Sequence, residues 1–497
     1  MNAIRLLLPF SLMLLLACQA STPVSEAPPN IIYILADDLG YQELGSYGQE
    51  KIQTPHLDQL AAEGMRFTRH YSGNAVCAPS RCVLLTGLHT GHSYVRSNYE
   101  MGGFLDEEEG GQLPLPPNTP TLACMLQAQG YATGAIGKWG LGGPGSTGLP
   151  TRQGFDEFYG YLCQKQAHNY YPTHLWRNES WDSLPNEYVY PHQSLPETAD
   201  PNDPASYTQF RGQVHAQDAM AEEALSFVKR HAEEPFFLYL PFPIPHLALQ
   251  APEAALEPYR GQFPDTPYVG NKNYLPNQYP LSTYAAMITR MDQQIGDLLH
   301  LLDSLELAEN TIVMFSSDNG TTFDIGGVNR FFFESLGELR GHKGNLYEGG
   351  IRVPFIARWP GHIPVGSTSA LPSAFWDIWP TLAEITSGTT PPDLDGISLL
   401  PTLLGEQEEV PPRSLYWEYP ARGGTIAIQE EDWKLLQFDT KEQINGRVEL
   451  YHLGEDPGET IDLSAKHPEM VGKLLKQIQA LHKPSEHFPL AMDVGKK

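Results

Sequence analysis

A string of residues around Cys77 carries the strongest chemical signal in the sequence. It reads Cys77-Ala78-Pro79-Ser80-Arg81, and Leu85-Thr86-Gly87 follows after a short apolar stretch. A free cysteine by itself is most often a small buried hydrophobe. We expect a helix to begin near Ser80, so that Cys77 lies beside free backbone N–H groups that favour a negative charge. This default of a buried hydrophobe must be weighed against the whole string, because a match of this length to a sequence signature would seldom arise by chance.

Two pairs of oxygen-bearing side chains follow apolar segments of the chain. Asp37-Asp38 come directly after residues 31–36, and Asp318-Asn319 come shortly after residues 311–315. Side chains that offer only oxygen ligands suit a hard cation such as calcium or magnesium, and they do not suit zinc. Asp37-Asp38 alone would more often form a solvated turn, but the second polar pair favours a metal site.

Three basic residues and one histidine could complete such a site. Lys138 and His246 each follow an apolar run of the chain. Arg81, Lys138 and Lys343 could stabilise an anionic group by fixed positive charge, although each of them alone is most simply a surface charge. His246 could donate a proton near neutral pH, and the alternative is a histidine that caps a loop.

The elements that must position these residues alternate between strands and helices. Continuous apolar runs, typical of strands buried on both faces, span residues 31–36, 132–136, 236–240 and 311–315. Apolar residues at helical spacing predict helices over residues 54–65 and 283–305. This alternation predicts an α/β fold with a mostly parallel sheet, in which ligands bind beyond the carboxyl ends of the strands. Polar clusters follow all four runs, and so we expect one common site.

The C-terminal part of the chain predicts a smaller unit. The linker-like residues 389–413 contain Pro391-Pro392 and Pro411-Pro412. Short strand patterns follow at residues 414–419, 425–429, 433–438 and 448–453, before a helical pattern over residues 468–482. We predict a catalytic domain over residues 30–405 and, over residues 406–497, a C-terminal subdomain with an antiparallel sheet and a helix.

The N-terminus has the pattern of an export signal. Arg5 precedes an apolar run over residues 6–16, which is too short and too early for a membrane-spanning helix. Leu15-Leu16-Ala17-Cys18 resembles a bacterial lipobox. The resemblance implies a signal peptide over residues 1–17, a lipid on Cys18, a tether over residues 18–29, and a location in the bacterial periplasm or at the cell surface. The alternative is an ordinary signal peptide with a chance cysteine.

The chain is strongly acidic, with a formal net charge of -27. The electrostatic field of this negative charge repels nucleic acid and anionic membranes. We therefore expect no nucleic-acid partner and no membrane contact except through a lipid on Cys18. An anionic substrate must then meet a local basic pocket. Apart from Cys18 and Cys77, the chain has three cysteines: Cys82, Cys124 and Cys163. Because three is an odd number, no set of disulfide bonds can be assigned from the sequence.

The motifs together resemble the type I sulfatase family over nearly the whole mature chain. The Cys77 string matches the family signature, and the further matches are Asp37-Asp38-Leu39-Gly40, Gly137-Lys138-Trp139, Ser317-Asp318-Asn319-Gly320 and Glu348-Gly349-Gly350-Ile351-Arg352. The resemblance implies an alkaline-phosphatase-like α/β/α sandwich with a large, mostly parallel central sheet and a smaller C-terminal domain with an antiparallel sheet. This fold agrees with the organisation predicted above.

The resemblance also implies roles for the candidate residues. A formylglycine-generating maturation enzyme would oxidise Cys77 to an aldehyde. One calcium ion, or magnesium, would be bound by five positions: Asp37, Asp38, Cys77, Asp318 and Asn319. Arg81 would hold the aldehyde hydrate, Lys138 would bridge hydrate and sulfate, and Lys343 would contact the sulfate and the leaving oxygen. His246 would lie near the leaving group. One hydrate oxygen would attack sulfur, and the second hydroxyl would later expel sulfate.

One position departs from the family pattern. Many members have Gly-Lys-Trp-His-Leu-Gly, whereas this chain has Gly140 in place of the histidine. Either another histidine fills that place, or the proton of the hydrate is handled differently. His168 is our candidate for a substrate-binding histidine, and an ordinary surface-loop histidine is an equally good interpretation.

A sulfated carbohydrate is the substrate class that we expect. Sugars stack on aromatic faces, and Tyr170, Tyr171, Trp176 and Trp181 lie in predicted loops, although they could equally serve loop packing. We favour a sulfated galactose or N-acetylgalactosamine unit of a glycan. Two alternatives stay open: a phosphonate or phosphate ester hydrolase of the same superfamily, and a lipoprotein that binds sulfated glycans without hydrolysing them.

Overall fold

The computed structural model describes residues 28–406 and 412–494. The predicted signal peptide, Cys18 and most of the predicted tether lie outside these residues. Within the two described ranges, no helix is both long and apolar enough to cross a membrane.

The strands and helices are numbered in chain order. The strands are β1 Asn30–Ala36, β2 Met65–Tyr71, β3 Glu100–Gly102, β4 Glu109–Gln112, β5 Ala132–Lys138, β6 Glu157–Tyr161, β7 His174–Arg177, β8 Ser180–Ser183, β9 Phe236–Pro241, β10 Thr311–Ser317, β11 Arg352–Arg358, β12 Ser367–Ser369, β13 Ser373–Ala374, β14 Ser414–Tyr419, β15 Thr425–Glu430, β16 Trp433–Phe438 and β17 Val448–His452. The helices are α1 Pro55–Glu63, α2 Cys77–Thr86, α3 Leu122–Ala128, α4 Ala216–Arg230, α5 Glu253–Leu256, α6 Pro280–Ser304, α7 Glu348–Ile351, α8 Ile378–Thr386, α9 Leu400–Leu403 and α10 Pro468–Leu481.

A large mixed sheet forms the centre of the molecule. Its strand order is β12-β2-β11-β10-β1-β9-β5-β6-β7-β8, with β13 beside β2. The central neighbours β10, β1, β9, β5 and β6 pair in parallel. Strands β11, β7 and β8 add antiparallel pairs on either side. The predicted α/β fold with a mostly parallel central sheet is confirmed.

Strand β1 shows why this sheet is covered on both faces. Tyr33 packs into the core that holds Val83 of α2 and Trp379 of α8. Its neighbour Ile34 belongs to the opposite core, with Leu57 of α1 and further residues of α4 and α6. Because successive side chains of a strand point to opposite faces, a continuous apolar run needs helices on both sides. The result is the predicted α/β/α sandwich.

The C-terminal strands form a separate antiparallel sheet in the order β14-β15-β16-β17. Helix α10 packs Leu474 and Ile478 into the same cluster as Ile426 and Ile428 of this sheet. The predicted antiparallel sheet with a helix is therefore present. The predicted bounds of these strands and of the helix agree with the structure to within one residue at each end.

Helix α2 begins earlier than the sequence predicts. Cys77 is its first residue, with Val76 as N-cap, whereas we expected the helix to begin near Ser80. Pro79 is compatible with the first turn because the first N–H groups of a helix have no intrahelical acceptor. Cys77 therefore belongs to the helix N-terminus itself.

Candidate active site

The polar residues that follow the central strands meet at one edge of the sheet. Strand β1 runs parallel to β10 and β9, so that Ala36 lies opposite Ser317 at the carboxyl ends. Asp37 and Asp38 continue from β1, and Asp318 continues from β10. Lys138 is the last residue of β5. The candidate residues thus come together as expected for the carboxyl edge of a parallel sheet.

Three buried carboxylates surround Cys77. One ligand atom from each of Asp37, Asp38, Asp318 and Cys77 lies within 4.8 Å of the others. Asn319 donates from Nδ2 to Asp38 Oδ1 at 2.7 Å, while its own Oδ1 is buried without a hydrogen-bond partner. An unpartnered carbonyl oxygen beside several carboxylates is a donor set that suits a hard cation. These residues could hold calcium or magnesium.

Three cations neutralise the carboxylates. Arg81 contacts Asp318 Oδ2 at 2.8 Å and Asp37 Oδ2 at 3.1 Å through Nη2. Lys138 Nζ lies 2.5 Å from Asp37 Oδ2, and Lys343 Nζ lies 2.8 Å from Asp38 Oδ1. Burial alone would raise the pKa of Asp37, but Lys138 and Arg81 outweigh it and hold that pKa below its ordinary value. Asp37 therefore stays ionised in the protein interior.

Cys77 lies between the two lysines. Its Sγ is 3.4 Å from Lys343 Nζ, 3.8 Å from Lys138 Nζ and 3.5 Å from Asp37 Oδ1. Burial, reinforced by the Asp318 and Asp37 carboxylates, raises the pKa of the Cys77 thiol well above its ordinary value. The unmodified side chain is therefore a protonated thiol, which is a weak nucleophile.

His246 differs from our expectation in its protonation. Nδ1 lies 2.6 Å from the Leu247 carbonyl, which can only accept, so Nδ1 carries the proton of the neutral ring. Nε2 lies 3.9 Å from Asp38 Oδ2. Burial, and then Lys138 and Lys343, lower the pKa of His246 well below its ordinary value. The expected neutral-range pKa is wrong for this environment, and the free ring is neutral with Nε2 as an acceptor.

His168, the candidate substrate-binding histidine, lies beside His246. The two rings stack with centroids 5.1 Å apart. His168 Nδ1 lies 2.9 Å from Nε2 of His192, and Nδ1 of His192 accepts a hydrogen bond from the Tyr274 backbone N–H at 3.3 Å. Because a backbone N–H can only donate, neutral His192 must carry its proton on Nε2 and donate it to His168 Nδ1. His168 therefore presents an Nε2–H donor.

His192 was not among the sequence candidates. It lies in a long segment between β8 and α4 and matches no motif, so only its contact with His168 reveals its role. Tyr170 was predicted as part of a sugar platform. Its hydroxyl instead donates to the carbonyls of Pro243, at 2.5 Å, and His246, at 2.8 Å, and so positions the His246 loop.

The structure explains the departure at Gly140. This residue has φ +80, and a Cβ added there would lie 2.3 Å from Gln164 Nε2. A histidine at this position would be strained in its backbone and would clash with the Gln164 amide. His168 reaches the His246 ring from a different loop.

Most of the predicted aromatic platform is internal. Tyr170, Tyr171 and Trp176 are buried, whereas the Trp181 side chain is 51% exposed and stacks on His174 at 4.0 Å. The first three rings are packed inside the protein, so the idea that they stack on a sugar is wrong. Trp176 and Trp181 lie in strands β7 and β8, so their predicted placement in loops is also wrong. Trp181 alone of the four offers its face to solvent.

Comparison with known proteins agrees with this geometry. Residues 29–389 match the family model described as Sulfatase, and residues 341–484 match N-sulphoglucosamine sulphohydrolase, C-terminal. Arylsulfatase A of Bos taurus is 32% identical, with 95% of this chain and 90% of the relative covered. N-acetylgalactosamine-6-O-sulfatase of Bacteroides thetaiotaomicron is 29% identical, with 91% of this chain and 93% of the relative covered.

Solved structures show the same fold. The crystal structure of Ps i-CgsB in complex with k-i-k-neocarrahexaose has a TM-score of 0.73 and 26% identity, and the match covers 91% of this chain and 92% of that one. Phosphonate monoester hydrolase of Agrobacterium radiobacter has a TM-score of 0.61 at 20% identity, with coverage of 91% and 95%, which shows a common fold alone. The family match covers most of the chain, and its site residues lie together in the structure. The chain belongs to the type I sulfatase family and is a sulfuric ester hydrolase with an alkaline-phosphatase-like fold.

Proposed function

We propose that this sulfatase hydrolyses sulfate esters of a carbohydrate, with a formylglycine derived from Cys77 as nucleophile and one bound calcium ion. The observation that carries the proposal is the position of Cys77 at a helix N-terminus, between Lys138 and Lys343 and against three carboxylates. A protonated thiol cannot readily attack sulfur, which supports chemical conversion of this residue.

The metal would be held by Asp37, Asp38, Asp318, Asn319 and residue 77, and the unpartnered Asn319 Oδ1 supports this ligand set. When bound, calcium supplies Lewis-acid polarisation of a coordinated oxygen, and magnesium could act in the same way. Arg81 holds Asp37 and Asp318 in place, because one guanidinium contacts both carboxylates.

The chain's own groups can stabilise the transferring sulfuryl group. Lys138 and Lys343 approach Cys77 Sγ and so can contact the oxygens of a sulfate bound there. The nearby carboxylates of Asp38 and Asp37 outweigh burial and raise the pKa of Lys343 well above its ordinary value, so it stays charged. The Nε2–H of His168 offers a further donor beside the neutral His246 ring.

The carbohydrate assignment is supported by relatives. One is an N-acetylgalactosamine-6-O-sulfatase, and one solved neighbour was crystallised with k-i-k-neocarrahexaose. We propose a sulfated galactose or N-acetylgalactosamine unit as the substrate. The comparisons do not favour a phosphonate hydrolase or a non-catalytic glycan-binding protein.

The test combines mass spectrometry with turnover. In protein made in its native host, the tryptic peptide that contains Cys77 should have lost roughly 18 daltons, the change from thiol to aldehyde at the nucleophile. The calcium-loaded protein should release sulfate from sulfated galactose or N-acetylgalactosamine, and Cys77→Ala should abolish this release. Cys82→Ala, a buried thiol of the same helix, is the matched control and should retain activity. An unmodified thiol together with no turnover of any sulfate ester would contradict the proposal.

A further inference from the structure

A group of positively charged side chains lies on one side of the candidate active site. Arg422, in the turn between β14 and β15, reaches from the C-terminal sheet toward the catalytic residue Lys343. A Cβ added to Gly344, the residue after Lys343, would lie 3.0 Å from Arg422 Nη1. The Arg422 guanidinium and the His342 ring both approach Phe323, at 5.8 Å and 5.6 Å from its ring centroid.

Arg422 and a second arginine, Arg330, lack ion-pair partners. Within the described chain, neither guanidinium lies within 4.0 Å of a carboxylate or donates a hydrogen bond, and Nη1 of Arg330 is buried without an acceptor. Arg422 is exposed and Arg330 is half-buried. Among the buried or half-buried arginines, Arg66 donates to a carbonyl, whereas several others are paired with carboxylates, including Arg81, Arg96, Arg352 and Arg413. In a chain with 59 acidic and 32 basic residues, two unpaired guanidiniums are not explained by a shortage of carboxylates.

Both arginines act on the same imidazole. Burial lowers the pKa of His342, and the positive charges of Arg330 and Arg422 lower it further, while Asp324 opposes them. Neutral His342 then donates from Nδ1 to the Lys343 carbonyl at 2.8 Å. Both guanidiniums therefore lie close to His342, the residue before Lys343. Asp324 offsets part of the repulsion between the two guanidiniums, and a bound anion would offset more of it.

Two features distinguish the exposed Arg422 from other surface arginines. Its backbone has φ +52, a region that non-glycine residues rarely occupy, although Gly423 and Gly424 follow directly. Strained backbone conformations of this kind cluster at active sites, ligand clamps and switch regions. The guanidinium also lies close to Gly344, the residue directly after Lys343.

We propose that Arg422 and Arg330 form a second anion subsite, which binds an acidic group on the sugar adjacent to the one that carries the scissile sulfate. A guanidinium presents a planar fork of N–H donors that matches a carboxylate or a sulfate ester, so a uronate or a second sulfated sugar would fit. The inference rests on the proposed carbohydrate sulfatase function. It makes the natural substrate an oligosaccharide with at least two anionic groups.

Binding to the calcium-loaded, full-length Cys77→Ala protein separates this subsite from catalysis. The first probe pair is a 6-sulfated N-acetylgalactosamine–uronate disaccharide and its uronate methyl ester, which differ by one charge and one methyl group. The second pair is a disaccharide with one sulfate on each sugar and its counterpart that carries the scissile sulfate alone. At least one doubly anionic probe should bind roughly tenfold more tightly than its partner, about 1.4 kcal/mol.

Arg422→Gln in this background should remove that preference without weakening the singly anionic probe. Arg422→Lys should restore part of it. Lys476→Gln, which removes the same charge from an exposed face of α10, is the matched control and should change neither affinity. The pair that shows the preference identifies the second anion as carboxylate or sulfate.

The subsite is refuted if neither doubly anionic probe binds better than its partner, or if Arg422→Gln leaves the preference unchanged. Sulfate release from p-nitrophenyl sulfate by the Cys77 protein made in its native host tests the sulfatase function separately, because this substrate has no second anion. A failed subsite with intact aryl sulfate turnover would overturn this inference alone.

Discussion

A buried lysine joins the C-terminal sheet to the catalytic part of the molecule, and its removal should strongly destabilise the protein. Lys434 of β16 is fully buried, with Nζ 2.8 Å from Glu348 Oε1 and 3.0 Å from Glu459 Oε1. Glu348 begins α7, five residues after Lys343. Burial would raise the pKa of Glu348, but Lys434 and Arg352 outweigh it and hold that pKa below its ordinary value.

Lys434→Met keeps the length of the side chain and removes its charge. Breaking a buried ion pair on one side costs roughly 3–5 kcal/mol because the remaining charge is left without compensation. At pH 8 we expect a loss of this size in the free energy of unfolding. Glu459 then has no cation beside it, whereas Glu348 keeps Arg352, so the folded pKa of Glu459, already raised from 4.5 to about 7, should rise further. The folded variant therefore binds protons more tightly than the unfolded chain, and its deficit should shrink as the pH falls from 8 to 5.

Urea unfolding at both pH values, followed by tryptophan fluorescence and far-UV circular dichroism, measures this effect. Lys476→Met on the exposed face of α10 is the matched control and should stay within about 0.5 kcal/mol of wild type. Adding Glu459→Gln to Lys434→Met should restore much of the lost stability, because the uncompensated charge is then gone and Glu348 still has Arg352. A loss below about 1 kcal/mol at pH 8, or an equal loss at both pH values, would refute the reasoning about buried charge.

Four further outcomes follow from the geometry. His192→Phe removes the hydrogen-bond donor to His168, so kcat should fall roughly tenfold and the pH profile of kcat should shift. His300→Phe, on the exposed side of α6, is the control and should change neither quantity. An unaltered pH profile in His192→Phe would contradict the assigned tautomer of His168. Burial raises the pKa of Glu43 from 4.5 to about 7, so wild-type stability should decrease as the pH rises between these values. Glu43→Gln should remove the part of this pH dependence that comes from Glu43, up to about 3 kcal/mol, whereas Asp292 and Glu459 keep theirs. An identical slope in both proteins by urea titration would contradict this. Gly140→His should lower the thermal midpoint and should not raise sulfate release, because the backbone has φ +80 and the new side chain would clash with Gln164. A variant that is as stable as wild type and more active would disprove this. Chelation of calcium should lower the thermal midpoint of the wild-type protein, and adding calcium back should restore it. The thermal midpoint of Asp318→Asn should change little in either step. Equal changes in both proteins, measured by calorimetry, would argue against the proposed calcium ligands.

The elements that carry the candidate catalytic residues were predictable from the sequence because their signals are local. Strands β1 and β10 are buried on both faces and therefore appear as continuous apolar runs that end where Asp37 and Asp318 begin. The strands of the C-terminal sheet were predicted to within one residue at their ends by the same kind of local pattern. The motif spacing identified the family, and parallel pairing explains why separate motifs meet at one edge.

Tertiary structure decided the properties that depend on residues far apart in the chain. His192 sets the tautomer of His168, Gln164 blocks the space beside Gly140, and Arg422 lies against Gly344. The pKa of His246 falls because burial and two lysines act on it together, and Tyr170 turned out to be a buried support for that histidine's loop. Sequence periodicity records which face of an element is apolar, but it holds no information on which loops cross above the sheet. Burial and long-range contact, which decide protonation and specificity, exist only once those loops are packed together.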